Sequence, residues 1–462
     1  MILSTFKDLD HFISKKTFLE YLYSYSFKMN YVIKYDPEKQ KMGKVMYYDV
    51  PSSFDIETTS FYTDSGDKCA TMYLWGFNFN GRSVYGRTWE EFITLLKIIR
   101  DTLNTLENHL IIWVHNLSYE FQFMRKWLEW NNVFCMSDHE VAKALLNWGI
   151  EFRCSLLESG KKLSLLAEEC KEFPIAKLKT LNYRGIRHYK TPLTDMELMY
   201  QLNDVRVVAN YIYEKGKKRP RGIPSIQLTK TGYVRELYRK NALHNDNKNV
   251  SFHFRNLIRE LTLCEEEYSV LSKAFQGGFT HANFLYIDDL LENVGSYDEI
   301  SAYPAQFTKE FPMSKGEHYN TFPEGKRDIW FNSYCLVFRF EVWNIRRKEG
   351  VFDDPISESH CEDMIGEIIN NGRVESADHL VTYITNVDYE IYKEFYDWDD
   401  EGISDIWRYR KGYLPKVIIE TVLQLYAYKT QLKGVIGQEE LYLLSKEQLN
   451  SSYIRNDVYA GY

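Results

Sequence analysis

The sequence between Val45 and Val114 changes its period twice, and that change limits the folds open to it. Val45–Phe61 and Ala70–Tyr85 read as β-strands, with turn signals such as Asn80-Gly81. Trp89–Leu106 then takes helical spacing, and His109–Val114 is a short apolar strand running into His115-Asn116. Strands alternating with helices imply an α/β sheet domain, and the pattern carries it to about residue 215. Lys215–Pro224, basic and rich in Gly and Pro, suits a linker. A second domain is expected from near Ile258, with a helix that opens at Pro415 and runs to about Lys433.

A chain of 462 residues is long enough for roughly two to four domains. Hydrophobic residues at 44% can fill their cores and argue against a disordered chain. Aromatic residues reach 16%, which suits packed sheets and surfaces that stack on planar groups. No apolar run approaches the ~18 residues of a membrane span, and no basic stretch precedes an apolar block at the N-terminus. Neither a membrane partner nor a secretory signal is therefore expected. The seven Cys form no C-x-x-C pair, which excludes a zinc ribbon and a disulfide scaffold and favours a reducing cytoplasm. The net charge of −8 hides a split: residues 351–405 carry −14 and the remaining chain +6. An acidic segment stays away from polyanions, which leaves room for a basic groove elsewhere.

Asp55-Ile56-Glu57 is expected to end a strand, where carboxylates at i and i+2 share one face and can hold one divalent cation. The spacing alone carries little, since Asp36/Glu38, Asp138/Glu140 and Asp195/Glu197 repeat it. Two further elements give it weight. His115-Asn116-Leu117-Ser118-Tyr119-Glu120-Phe121 again follows a strand, and Tyr200-Gln201-Leu202-Asn203-Asp204 falls on a predicted helix, where i and i+4 share a face. Four carboxylates from three elements can hold two metal ions. Two metals ~3.5–4 Å apart serve the attacking water and the leaving oxygen in phosphodiester hydrolysis.

In that order, D-x-E, N-x-x-x-[D/E] and Y-x-x-x-D resemble the three exonuclease motifs of family B DNA polymerases. Phe275-Gln276-Gly277-Gly278 resembles the Y-x-G-G segment between exonuclease and polymerase domains. Ser296-Tyr297-Asp298-Glu299-Ile300-Ser301-Ala302-Tyr303-Pro304 resembles motif A, and Lys446-Glu447-Gln448-Leu449-Asn450-Ser451-Ser452-Tyr453 resembles motif B. The acidic stretch between them sits where the protein-primed branch of phages, viruses and linear plasmids carries its first terminal-protein subdomain. The resemblance covers roughly residues 50–453.

The resemblance implies roles residue by residue. Asp55, Glu57, Glu120 and Asp204 would hold Mg2+ (or Mn2+), directly or through water, and Tyr200 would orient the attacking water. Lys179, in Lys177-Leu178-Lys179-Thr180, would steady the scissile phosphate. Thr58, His115, Asn116 and Tyr119 would grip a single-stranded 3′ end, where an aromatic ring suits any base. Glu120 departs from the Asp that the second motif usually supplies. Asp298 would be a metal ligand of the polymerase centre, and Tyr303 would lie against the deoxyribose of a dNTP. Gly277, Gly278 and Ser301 fall in the substrate-binding motifs. Lys446 would contact the triphosphate, with Asn450 and Tyr453 lining the base-pair site.

Motif B closes on Ile454 where the family has Gly, and no motif C follows. Tyr396-Asp397-Trp398-Asp399-Asp400 precedes motif B and reads as a decoy. The fold expected is α/β (α+β multidomain), an RNase-H-like exonuclease domain followed by a partial palm with an inserted terminal-protein subdomain. Its expected parts are a lead-in (1–50), the exonuclease domain (51–215), a linker (216–257) and the start of the palm (258–310). The acidic insert (311–410), the helix and motif B of the fingers (411–453) and an aberrant tail (454–462) complete it. The function implied is the N-terminal portion of a protein-primed DNA polymerase with 3′→5′ exonuclease, truncated within motif B. Polymerisation is expected only with the C-terminal part, on a second chain bearing motif C and the thumb. Its partners would be primer–template DNA, single-stranded 3′ ends, dNTPs and a terminal protein, in the cytoplasm of a phage-infected bacterium. A stand-alone 3′→5′ exonuclease and a catalytically silent DNA- or protein-binding fragment are the alternatives.

Overall fold

A computed structural model describes residues 11–36, 41–137, 139–175, 185–279 and 286–450, and divides the chain into Met1–Tyr233 and Val234–Tyr462. The first unit is built on a nine-stranded sheet. Its strands are β1 (Met29–Asp36), β2 (Lys41–Tyr48), β3 (Ser52–Tyr62), β4 (Lys68–Phe79), β5 (Arg82–Gly86), β6 (Asn108–Val114), β7 (Trp130–Cys135), β8 (Val141–Leu146) and β9 (Ile150–Cys154). The order is β5-β4-β3-β6-β9-β8-β7. β3 and β9 run parallel to β6, and the outer pairs are antiparallel. This is the mixed RNase-H-like arrangement expected from the sequence. The β4–β5 turn uses Asn80 (φ 51°) and Gly81 (φ 84°), the paired left-handed residues that a two-residue hairpin requires. The lead-in joins the sheet as well, because β1 pairs with β2 and β2 runs parallel to the start of β6.

β6 is apolar from Leu110 to Val114 because both of its faces are covered there. Leu110, Ile112 and Val114 enter one core with Phe54, Trp75, Phe77 and the Phe92 of helix α1 (Trp89–Leu103). Ile111 and Trp113 enter the other, with Leu166 of α3 (Leu163–Glu169) and Val207, Val208 and Ile212 of α4 (Asp195–Lys217). Between them in sequence lies α2 (Leu117–Met124). Thr194 starts α4 with a reciprocal cap: its side chain accepts from the Glu197 N–H, and the Glu197 carboxylate accepts from the Thr194 N–H.

The stretch expected as a linker is ordered instead. Helix α4 continues to Lys217, and the Gly/Pro signal that follows is a tight turn through Gly222 (φ 62°). Ile223, Pro224 and Ile226 are buried, and the Ile223 N–H donates to Asp49 at 2.8 Å. Helices Lys230–Ala242 and Lys248–Glu260 fill most of what remains of 216–257. Gly and Pro mark a break in a helix, and here buried isoleucines decide where the broken chain goes.

The second unit holds an eight-stranded antiparallel sheet drawn from Glu310 to Tyr413. Strand Tyr334–Arg347 is central, between Arg373–Thr385 and Asp400–Tyr413. Phe338, Phe340 and Val342 meet Tyr389 and Tyr392 of helix Asn386–Phe395 in its main core. Much of the acidic charge is paired locally, as in Arg327–Glu401, Arg408–Glu317 and Arg339–Glu341. Asp399 of the motif-like Tyr396–Asp400 run accepts from Asn344 and from Arg346 at 2.9 Å, a structural pairing at a strand turn. Helices Lys416–Leu432 and Glu439–Asn450 share a small core of Val422, Leu425 and Leu449. Among the described residues no helix is long and apolar enough to cross a membrane.

One buried ion network fastens the lead-in hairpin to the sheet. Glu151 on β9 is fully buried and accepts from Arg153 Nε at 2.6 Å, from Tyr47 OH at 2.9 Å and from Lys34 Nζ at 3.4 Å. Burial alone would raise its carboxyl, but the charges of Arg153, Lys34 and Lys143 outweigh that and hold it well below the usual carboxylate range. A carboxyl depressed in the folded state contributes stability above its unfolded value near pH ~4.3, and that contribution is lost as pH falls further. Glu151→Ala leaves Arg153 buried without its counter-charge, so chemical denaturation of the variant at pH 7 should show a loss of about 3–5 kcal/mol. The deficit relative to the parent chain should shrink as the pH is lowered below ~4.

Candidate metal centre

Strand β3 sorts its side chains by parity. Phe54 and Ile56 enter the apolar core, while Ser53, Asp55 and Glu57 face the other way. The strand runs on to Tyr62, so the two carboxylates lie in its middle and not at its end as expected. Helix α4 covers that face: Ser53 Oγ donates to the Val205 carbonyl at 2.5 Å, and Asp204 is presented beside it. One carboxylate oxygen from each of Asp55, Glu57 and Asp204 lies within 4.8 Å of the others. Glu57 and Asp204 are buried and Asp55 is half-buried. Next to this cluster the β3–β4 ladder slips: Glu57 faces Leu74 but Thr58 faces Met72, leaving Tyr73 as an extra residue. The bulge bends β4 and raises the local twist beside the acidic pair of β3.

Glu120 is positioned by different means. Asn116 takes a left-handed conformation (φ 67°) to turn β6 into α2, and the helix then buries Leu117, Glu120 and Met124 on one side. Glu120 does not join the three-oxygen cluster, so the structure brings together three of the four expected carboxylates. It stands close enough to Glu57 to feel its charge. Burial pushes the Glu120 carboxyl well above the usual carboxylate range, and repulsion from Glu57 adds to the rise. Its Oε2 is buried with no hydrogen-bond partner among the described residues. Buried, mutually repelling carboxylates with an orphaned oxygen beside them form an oxygen-only donor set. Hard divalent cations such as Mg2+ or Mn2+ fit such a set.

Around the carboxylates, Tyr200 is buried one turn before Asp204 on α4. Thr58 Oγ1 and Tyr119 OH are 2.5 Å apart, and the Tyr119 ring, 44% exposed, lies 5.2 Å from that of Phe123. His115 Nδ1 is 3.1 Å from Ser155 Oγ, and Asn116 forms the α2 entry turn. Lys179 lies outside the described residues. Three neighbours escaped the sequence reading. Gln201 donates from Nε2 to the Asp55 carbonyl at 2.9 Å and to Asp55 Oδ2 at 3.2 Å. Gly76 is the cross-strand partner of Asp55. Arg187 pairs with Glu197, and its N–H donates to Thr59 Oγ1 at 3.2 Å. Only Gln201 had a signal, since it sits beside Tyr200 within the third motif.

In the second unit, Asp298 is exposed in the loop before helix Ala302–Gln306, with Ser301 (φ 55°) at the helix entry. Among the described residues Asp298 belongs to no group of three or more metal-ligating side chains. Lys429 Nζ donates to Ser301 Oγ at 2.9 Å, which ties helix Lys416–Leu432 to motif A. Tyr303 approaches the glycine pair, because a Cβ on Gly278 would lie 2.9 Å from its hydroxyl, while Gly277 is open. Lys446 and Asn450 are exposed on helix Glu439–Asn450, and Tyr453 lies outside the described residues.

No protein-family model matches the chain. It is 23% identical over 429 residues to proteins named DNA polymerase from Bacillus phage Nf and from Bacillus phage M2, an alignment covering 87% of the chain and 67% of each relative. The chain thus spans about two thirds of the length of the curated relatives it matches. Among solved structures it matches phi29 DNA polymerase in ternary complex with primer–template DNA and incoming nucleotides, with a TM-score of 0.57, 16% identity and 87% of the chain covered. The same polymerase bound to primer–template DNA alone gives a TM-score of 0.59 at 16% identity, with 87% of this chain and 66% of that one covered. The chain therefore has the fold of a phage DNA polymerase, and the resemblance to DNA polymerases read from its motifs agrees with the proteins that both comparisons name.

Proposed function

We propose that the chain is a DNA polymerase of the protein-primed family B and that its first unit is a 3′→5′ exonuclease. The observation that carries the exonuclease reading is the cluster of Asp55, Glu57 and Asp204, three carboxylates from a strand and a crossing helix within 4.8 Å of one another. Divalent ions held there would supply Lewis acidity at a phosphodiester. Asp55, Glu57 and Asp204 would hold them, with Glu120 completing the set beside Glu57. Tyr200 would orient the attacking water, and Lys179 would steady the phosphate. The exposed Tyr119 ring and its Thr58 partner, with His115 and Asn116 behind them, would take the frayed 3′ end of a single strand by stacking and hydrogen bonding.

In the second unit, Asp298, Tyr303, Ser301, Lys446, Asn450 and Tyr453 would serve dNTP and primer–template binding at a polymerase centre, with Gly277 and Gly278 between the two activities. The neighbouring phi29 structures hold primer–template DNA, nucleotides or single-stranded DNA, and we assign the same ligand classes here. A terminal protein as primer, on the acidic insert, and a host-cell cytoplasmic setting complete the proposal.

The test is the shortening of a 3′-single-stranded DNA oligonucleotide by the purified chain with Mg2+ or Mn2+, with mononucleotides as product. Asp55→Ala and Asp204→Ala should each lower the rate by several orders of magnitude with the unfolding temperature in chelator retained, because each removes a metal ligand. Wild-type activity in Asp55→Ala/Glu57→Ala would refute the site. The longer Glu120 is matched to its own helix position, so Glu120→Asp, which withdraws the carboxylate by one methylene, should slow the same assay. A faster enzyme after that change would show that Glu120 is a compromised ligand.

A further inference from the structure

We infer that Gln201 is a positioning residue for Asp55, holding the strand carboxylate in the orientation that the metal centre uses; this rests on the exonuclease reading. Gln201 is fully buried on α4, three residues before Asp204. Its Nε2 donates to two acceptors of one residue, the Asp55 carbonyl at 2.9 Å and Asp55 Oδ2 at 3.2 Å. Both acceptors are oxygens, so only the NH2 end of the amide can face them, and a flipped amide would set oxygen against carboxylate. The amide therefore fixes the rotation of the Asp55 side chain relative to its own backbone. Gln201 Oε1 is buried with no hydrogen-bond partner among the described residues, so the bonds that Nε2 donates to Asp55 set the amide's direction. The hydrogen bond also joins the two elements that supply the cluster, because one partner is on β3 and the other on the helix that carries Asp204.

The opposite strand is shaped to admit this contact. Gly76 pairs across the ladder with Asp55, and a Cβ there would lie 2.7 Å from Gln201 Nε2, 2.9 Å from Gln201 Cγ and 3.1 Å from Val205 Cγ1. Any larger residue at 76 meets the Gln201 amide before it meets anything else. Glycine here is required by close approach and not by an unusual φ.

Gln201→Met keeps the volume and loses the donor, and Gln201→Glu keeps the shape and places a carboxylate against Asp55. The full chain and each variant are assayed in two ways: binding of Mn2+ alone, followed by the electron paramagnetic resonance signal of the free ion, and kcat and KM on a single-stranded oligonucleotide. Gln201→Met should weaken Mn2+ binding and lower kcat by ~10–100-fold with KM for DNA unchanged, and Gln201→Glu should fall at least as far. Gly76→Ala, which displaces the amide without removing it, should reproduce the loss. In a Gln201→Ala background, where the two closest clashes are gone and only Val205 Cγ1 at 3.1 Å remains, Gly76→Ala should add much less. Asp55→Ala separates the two readings. If the parent chain is active, Asp55→Ala is dead and Gln201→Met binds Mn2+ and turns over like the parent, the positioning role is overturned and the exonuclease stands. If the parent neither binds Mn2+ nor cuts DNA, both are overturned.

Discussion

Repulsion among Asp55, Glu57 and Asp204 is the constraint that the first unit is organised to withstand. Like charges ~4 Å apart cost on the order of 4 kcal/mol at the effective dielectric of a protein surface, and here three carboxylates share 4.8 Å. Such a cluster survives only if the elements carrying it are fixed by interactions stronger than the repulsion. β3 is fixed by Phe54, stacked on Phe92 at 4.2 Å, and by Ile56 in the same core. A one-residue slip of β3 would exchange that apolar face for the acidic one, so the core that stabilises the sheet also sets which way the carboxylates point. Helix α4 is held from the other side by its capping box and by Val207, Val208 and Ile212 against Ile111 and Trp113. A divalent cation bound there would convert the same repulsion into coordination.

The two units meet different demands. In the first, the polar cluster is small and its surroundings are buried on both faces of the sheet, as a preorganised metal site requires. In the second, the acidic residues decorate a sheet whose core is aromatic, and many are compensated by nearby arginines. The negative charge of 351–405 therefore belongs to a surface and gathers no metal-holding group among the described residues. Acidity by itself says little about metal binding. Carboxylates drawn from separate elements to one buried point say much more.

That contrast explains what could be read from the sequence. Asp55, Glu57 and Asp204 were legible because i, i+2 on a strand and i+4 on a helix follow from backbone geometry alone, once the order of motifs joins them. The α/β pattern was legible for the same reason, and β6 announced its burial with five apolar residues in a row. Glu120 shared its motif but not its cluster, since a left-handed Asn116 and the burial of Leu117 and Met124 fix where α2 points. No local periodicity encodes that. Gln201 and Gly76 were illegible for a related reason: they lie 125 residues apart, and their contact exists only because α4 lies across β4. The Lys215–Pro224 stretch misled because its composition reports a chain break, whereas Ile223 and Ile226 carry the packing that follows it. Lys179 and Tyr453 fall outside the described residues.

The proposed centre requires a divalent cation between β3 and α4. Anomalous scattering from a crystal of the chain soaked in Mn2+ locates that ion without any appeal to activity. A manganese peak within coordination distance of Asp55, Glu57 and Asp204, absent from crystals of Asp55→Ala/Asp204→Ala, is the result predicted. Well-ordered carboxylates with no peak between them, or a peak that persists in the double variant, would contradict it.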